Sequence, residues 1–247
     1  MTLLVFIALF LPVVLCGLSV FLFKTGEKTL KLILAFGGAF LLTLVFTELI
    51  PEIFSSETKL IGLWVMLGFF IQLLLDFLTK GVEHGHHSHH EKLDEPCKHK
   101  NEHFGVFGIM AGICIHSFLE GMPLSSNFNN PELQNTLLTG IVVHNVPISI
   151  VLVSLFVHAG MGKKTSVFLL LIFALAGPAG TTASYFLGDS LSGNMSHFFN
   201  IALAIVVGIF LHISTTILFE TEELHGFNIY KFLAILLGAG IALLSLL

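Results

Sequence analysis

The stretch Cys114-Ile115-His116-Ser117-Phe118-Leu119-Glu120-Gly121-Met122-Pro123 lies inside a long apolar run, and His144-Asn145-Val146-Pro147 echoes it inside the next one. His116 and Glu120 are four residues apart, so on a helix they share one face, one turn apart. An ionisable side chain in hydrocarbon costs about 2.5–3.5 kcal/mol on insertion scales. Two successive apolar segments that carry such side chains therefore point to a binding task within the membrane. Imidazole and carboxylate together point to a divalent metal ion.

The rest of the composition agrees. Of 247 residues, 55% are hydrophobic and only 11% charged, and the mean hydropathy is +0.93, which excludes an ordinary soluble domain. The net charge of −5 speaks against a nucleic-acid partner. Arginine is absent, and the three cysteines (Cys16, Cys97, Cys114) are scattered without a disulfide framework. Residues 1–23 have no positively charged start and an apolar run too long for a signal peptide, so a first spanning helix is expected there.

The hydropathy pattern predicts an all-α integral membrane protein of eight transmembrane helices. The expected spans are about 2–23, 29–54, 59–80, 104–125, 132–158, 165–187, 196–219 and 229–247. The whole chain, residues 1–247, reads as a single transmembrane domain with one long loop at about 81–103. Lysines fix the orientation. Lys24, Lys28, Lys31, Lys80, Lys92, Lys98, Lys100, Lys163, Lys164 and Lys231 fall on one side and only Lys59 on the other. The first side is cytoplasmic by the positive-inside rule, and both termini are then extracytoplasmic. Seven of the thirteen histidines lie between His84 and His103, a compositional metal-binding signal in a cytoplasmic loop.

At membrane depth, His116 and His144 fall near the midpoints of spans four and five, with Glu120 one turn outward. The short connection Ser126 to Pro131 predicts that these spans are antiparallel neighbours, with three ligands converging at one height. Pro123 and Pro147 lack the N–H groups that Leu119 and Val143 carbonyls would accept, which predicts loosened helices beside the site. Glu48 and Glu52, around Pro51 at the outer end of span two, read either as a cation-attracting mouth or as interfacial charges. Asp76, on one face with Gln72, and His158 read as contacts on an exit path, and His212 as a third-helix contributor. The pairs Gly37-Gly38, Gly108 with Gly112, and Gly177 with Gly180 read as helix-approach positions.

With those residues in view, the sequence resembles the ZIP (Zrt-, Irt-like protein) family of divalent-metal transporters over nearly its whole length. The resemblance rests on His116-Ser117-x-x-Glu120-Gly121 in span four, His144-Asn145-x-Pro147 in span five, Phe46 to Glu52 at the end of span two, and Gly177-Pro178-Ala179-Gly180 in span six. It implies inverted repeats of spans 1–3 and 6–8 around spans 4 and 5, and a homodimer. It also implies metal uptake toward the cytoplasm. By position it makes His116, Glu120 and His144 primary ligands and puts Ser117 and Asn145 at a neighbouring secondary site, with Glu48 where many members have histidine. Ile148 stands where many members carry a glutamate or histidine, and span six has no carboxylate, so one main site is expected.

The resulting expectation is a multi-pass transporter, not an enzyme, in a cell membrane, with the size and lack of a targeting segment suggesting a bacterial inner membrane. Its substrate is Zn2+, with Fe2+, Mn2+ and Cd2+ as related ions, and its surroundings are the lipid bilayer. Two other classes suit parts of the pattern: an intramembrane zinc-dependent hydrolase, which lacks a His-Glu-x-x-His motif, and a metal exporter, which lacks a soluble metal domain after the spans.

Overall fold

The computed structural model describes residues 3–23, 26–56, 58–79, 102–124, 131–191, 195–219 and 229–245, and all the regular structure in them is helical. The helices are α1 (Leu3–Ser19), α2 (Glu27–Leu44), α3 (Ile50–Ser55), α4 (Ile61–Thr79), α5 (Glu102–Gly121), α6 (Pro131–His158), α7 (Lys163–Leu191), α8 (Met195–Phe219) and α9 (Ile229–Leu244). A π-helical turn, Val45–Leu49, joins α2 to α3, and Lys28–Ser55 is one continuous rod. The described residues therefore form eight rods at the eight expected positions.

The π turn has a cause in the sequence. Pro51 cannot donate to the carbonyl of residue 47 and its ring crowds that carbonyl. Just before it the helix widens by one residue, and the Ile50 N–H reaches back to the Val45 carbonyl.

Five rods are long and apolar enough to cross a bilayer: Lys28–Ser55, Val106–Leu124, Pro131–His158, Lys163–Leu187 and Ser196–Phe219. The other three, Leu3–Ser19, Ile61–Phe77 and Ile229–Leu244, are equally apolar but shorter. Expected span one shortens because Val20 to Phe23 fold into hydrogen-bonded turns on Gly17, Leu18 and Ser19 instead of continuing the helix.

The surface is unlike that of a water-soluble protein, and the largely apolar interior holds a small polar set. Phe70, Leu74, Phe77, Phe168 and Leu237 stand exposed, while Gln72, His116, Glu120, His144, Ser149 and Thr181 are buried. Exposed apolar stripes on several helices are stable only against lipid or another apolar surface. With the five long apolar helices, this makes the chain a multi-pass membrane protein.

The helices associate in two groups. In one, α4 lies along α8, and α2 lies along both α8 and α9. In the other, α5 lies along α7, and α1 along α6 and α7. The closest approaches occur where glycine removes the side chain. A β-carbon on Gly68 of α4 would meet the Ile205 carbonyl of α8, and one on Gly208 of α8 would meet the Val65 carbonyl of α4. Between α5 and α7, Gly121 abuts the Gly177 backbone and Gly180 abuts the Phe118 carbonyl. Gly177 with Gly180 is thus a helix-approach pair as expected, whereas Gly68 and Gly208 were not singled out from sequence.

The short connection between α5 and α6 predicts a packed antiparallel pair. Instead they touch over only a short stretch, because the glycine face of α5 is taken by α7 and the long side of α6 by α1. That short stretch holds the polar residues.

A candidate metal centre between α5 and α6

Helical spacing carries His116 and Glu120 onto one face of α5, one turn apart, and both are fully buried. His116 Nε2 lies 3.0 Å from Glu120 Oε1. From α6, His144 brings its ring to a centroid distance of 5.7 Å from that of His116, edge to face. One ligand atom from each of His116, Glu120 and His144 can be chosen so that all lie within 4.8 Å of one another. A tetrahedral zinc with ligands at about 2.0–2.1 Å needs separations of about 3.4 Å, so closure on an ion takes at most about 1.4 Å of inward movement between ligand atoms.

Asn145, the next residue of α6, donates Nδ2–H to Glu120 Oε2 at 3.3 Å. Its buried Oδ1 has no hydrogen-bond partner among the described residues, an acceptor available to a cation or a water. Ser117 and Asn145 line a small cavity of about 10 Å3 with Leu9, Val13, Phe173, Ala174, Gly177 and Pro178, room for roughly one water. The cavity wall on the α7 side carries no carboxylate, and Ile148, one turn along α6, is buried among apolar neighbours.

Two prolines shape the backbone around the site. Gly121 ends α5, and Met122–Leu124 continue as a 3-10 turn, so Pro123 marks a helix end rather than the kink within a helix that its position suggests. The Gly121 carbonyl accepts the Thr181 hydroxyl at 2.9 Å. Pro147 lies inside α6, which runs through it to His158. The Val143 carbonyl that Pro147 cannot engage faces Gly37 of α2, where no side chain blocks it.

The remaining expected site residues spread along the bundle. Glu48 lies in the π turn, half-buried, and is not part of the converging set. Asp76 of α4 faces His212 of α8, with Oδ2 to Nε2 at 3.8 Å, and Phe69 packs edge-on against that imidazole at 5.0 Å. His212 therefore meets Asp76 rather than joining His116 and His144. His158 is exposed at the end of α6, its Nδ1 2.7 Å from the Ser154 carbonyl of its own helix. The histidine-rich segment at 81–101 lies outside the described residues.

Sequence reasoning gave Gln72 no part in the centre. It is fully buried on α4, with Oε1 2.9 Å from His116 Nδ1. Its position on one face with Asp76 was legible, but not its meeting with a residue 44 positions away.

Two imidazoles and a carboxylate, buried together inside a multi-pass helical membrane protein, form a candidate site for a divalent metal within the bilayer. The model of the ZIP zinc transporter family matches residues 81–246, and the chain belongs to that family, one of transporters and not of enzymes. Among its relatives, zinc transporter ZupT of Chlorobaculum parvum is 26% identical over 215 residues, 81% of this chain and 79% of that protein. Zinc transporter ZIP9 of Xenopus tropicalis is 27% identical over 167 residues, 65% of this chain and 52% of that protein. Zinc transporter ZIP9-A of Xenopus laevis matches to the same extent. The chain thus spans about half the length of the ZIP9 proteins.

Proposed function

We propose that this chain carries Zn2+, or a related divalent ion such as Fe2+, Mn2+ or Cd2+, across the bilayer into the cytoplasm. His116, Glu120 and His144 act as primary ligands, with Ser117 and Asn145 beside them. The observation that carries this reading is the convergence of three fully buried or nearly buried ligand side chains from two helices. The donors are borderline to hard, as first-row divalent ions require.

The order of polar residues supplies a path across the bilayer. With the lysine-rich side cytoplasmic, Glu48 and Glu52 form the outer mouth, Glu120 lies next, and His116 and His144 follow at mid-depth. Asp76 lies one turn further inward along α4, against His212, and His158 ends α6 on that side. The ion leaves past these groups toward the histidine-rich loop.

Residues 1–247 act as one transmembrane domain, with both termini outside and spans 1–3 and 6–8 as inverted repeats around spans 4 and 5. The packing supports this: α4 lies on α8 as α2 lies on α9, and α5 on α7 as α1 on α6, which are the pairings an exchange of the two repeats interconverts. Assembly as a homodimer follows the family resemblance.

Zinc flux into proteoliposomes tests the reading, with a zinc-sensitive dye inside and the orientation fixed by protease access to the 81–103 loop. His116→Ala and His144→Ala are each expected to abolish inward flux while the protein melts as the wild type does. Wild-type vesicles that bind zinc without flux would overturn the transport reading, and flux only in the opposite sense would make the chain an exporter.

A further inference from the structure

We propose that Gln72 is a positioning residue that fixes the tautomer of His116, so that Nε2 presents a lone pair to the metal. The inference rests on the proposed role of His116 and adds to it a side chain from a helix that supplies no ligand.

A fully buried primary amide on α4, between Ile71 and Leu73, needs a reason, since an apolar residue of like volume would satisfy the packing. Its carbonyl oxygen, 2.9 Å from His116 Nδ1, can only accept a hydrogen bond. The ring proton therefore sits on Nδ1, and in the neutral imidazole Nε2 is left as an acceptor. That Nε2 faces Glu120 Oε1 at 3.0 Å, on the side where His144 also converges. Two acceptors directed at one point form a binding position for a cation. The same second contact, from the non-ligating nitrogen to a carbonyl or carboxylate, typically orients metal-bound histidines in proteins. The contact also crosses between the two helix groups: α4 belongs with α8 and α2, α5 with α7 and α1. The aim of the His116 ring thus depends on how α4 stands against α5.

The test compares zinc affinity, by competition with a chromophoric chelator, for the full-length wild type, Gln72→Leu, Gln72→Glu and His116→Ala in the same detergent. In parallel, 15N spectra of the zinc-free wild type and Gln72→Leu report the His116 tautomer. We expect protonated Nδ1 in the wild type and loss of that preference in Gln72→Leu. We expect Gln72→Leu to bind zinc roughly 10–100-fold more weakly, and Gln72→Glu, which keeps the acceptor, to stay close to wild type. If Gln72→Leu binds as the wild type while His116→Ala does not, the inference about Gln72 is wrong and the metal site stands. If His116→Ala itself binds as the wild type, the underlying site assignment fails. Should Gln72→Leu misfold, a proton on Nε2 in the wild-type spectrum, or failure of Gln72→Glu to retain binding, overturns the inference.

Discussion

Replacing Gly180 by alanine should damage the metal centre although Gly180 touches none of its ligands. A β-carbon there would overlap the Phe118 carbonyl of α5, a backbone group that cannot rotate aside. Restoring a contact near 3.5 Å requires α5 and α7 to separate by roughly 1 Å or more. Overpacking of this kind costs about 1–3 kcal/mol, partly offset by the gain of about 0.5–1 kcal/mol for alanine over glycine in a helix. A net loss of about 1–2 kcal/mol lowers Tm by about 2–8 °C for a chain of this size. A second effect falls on the site, because Phe118 lies between Ser117 and Glu120 on the displaced helix. Metal sites hold their ligand distances to within about 0.2 Å, so zinc affinity should fall by about tenfold or more, roughly 1.4 kcal/mol. Gly240→Ala is the control, since no heavy atom lies within 4 Å of a β-carbon there. Thermal melting and zinc titration on both variants decide the matter. If Gly180→Ala melts and binds as Gly240→Ala does, the close approach of α5 and α7 does not position the ligands.

Thr181→Val keeps the shape of the side chain but removes the hydroxyl that the Gly121 carbonyl accepts at 2.9 Å. It should cost about 1–2 kcal/mol, read as a drop of several degrees in Tm. Acidification from about pH 7.5 to 5.5 should weaken zinc binding, because a protonated imidazole has no lone pair for the metal. A flat zinc titration across that range would count against imidazole ligation. Asp76→Asn, which removes a charge facing His212, should change equilibrium zinc affinity by no more than about twofold while slowing flux severalfold. Unchanged flux would remove Asp76 from the path.

What the sequence disclosed about the site was what helical geometry makes local. His116 and Glu120 share a face because they are four residues apart, and His144 reaches the same height because both spans have their polar residue near the midpoint. Residue spacing does not say which helix lies beside which. The short α5–α6 connection suggested neighbours, but the choice was made by backbone approach at Gly121, Gly177 and Gly180, which favours α5 with α7. For the same reason, the contacts of Gln72 with His116 and of Asp76 with His212 could not be read off, since each depends on which faces of two different helices meet. Pro123 illustrates a local ambiguity: a missing N–H loosens a helix interior or ends a helix, and the structure takes the second course.

The geometry of the centre bears on how firmly it would hold an ion. A structural zinc site closes four ligands at about 2.0–2.3 Å and keeps the metal indefinitely. Here three ligand atoms stand within 4.8 Å of one another, and the neutral side chains Ser117 and Asn145 line the small cavity beside them. Burial of Glu120 is costly, and the compensating hydrogen bond comes from Asn145 on the facing helix. The carboxylate is thus held in place before any ion arrives, which limits the ordering cost of binding. Under the proposed function, a preformed but open site between two helices that meet over a short stretch favours an ion in passage over one in storage.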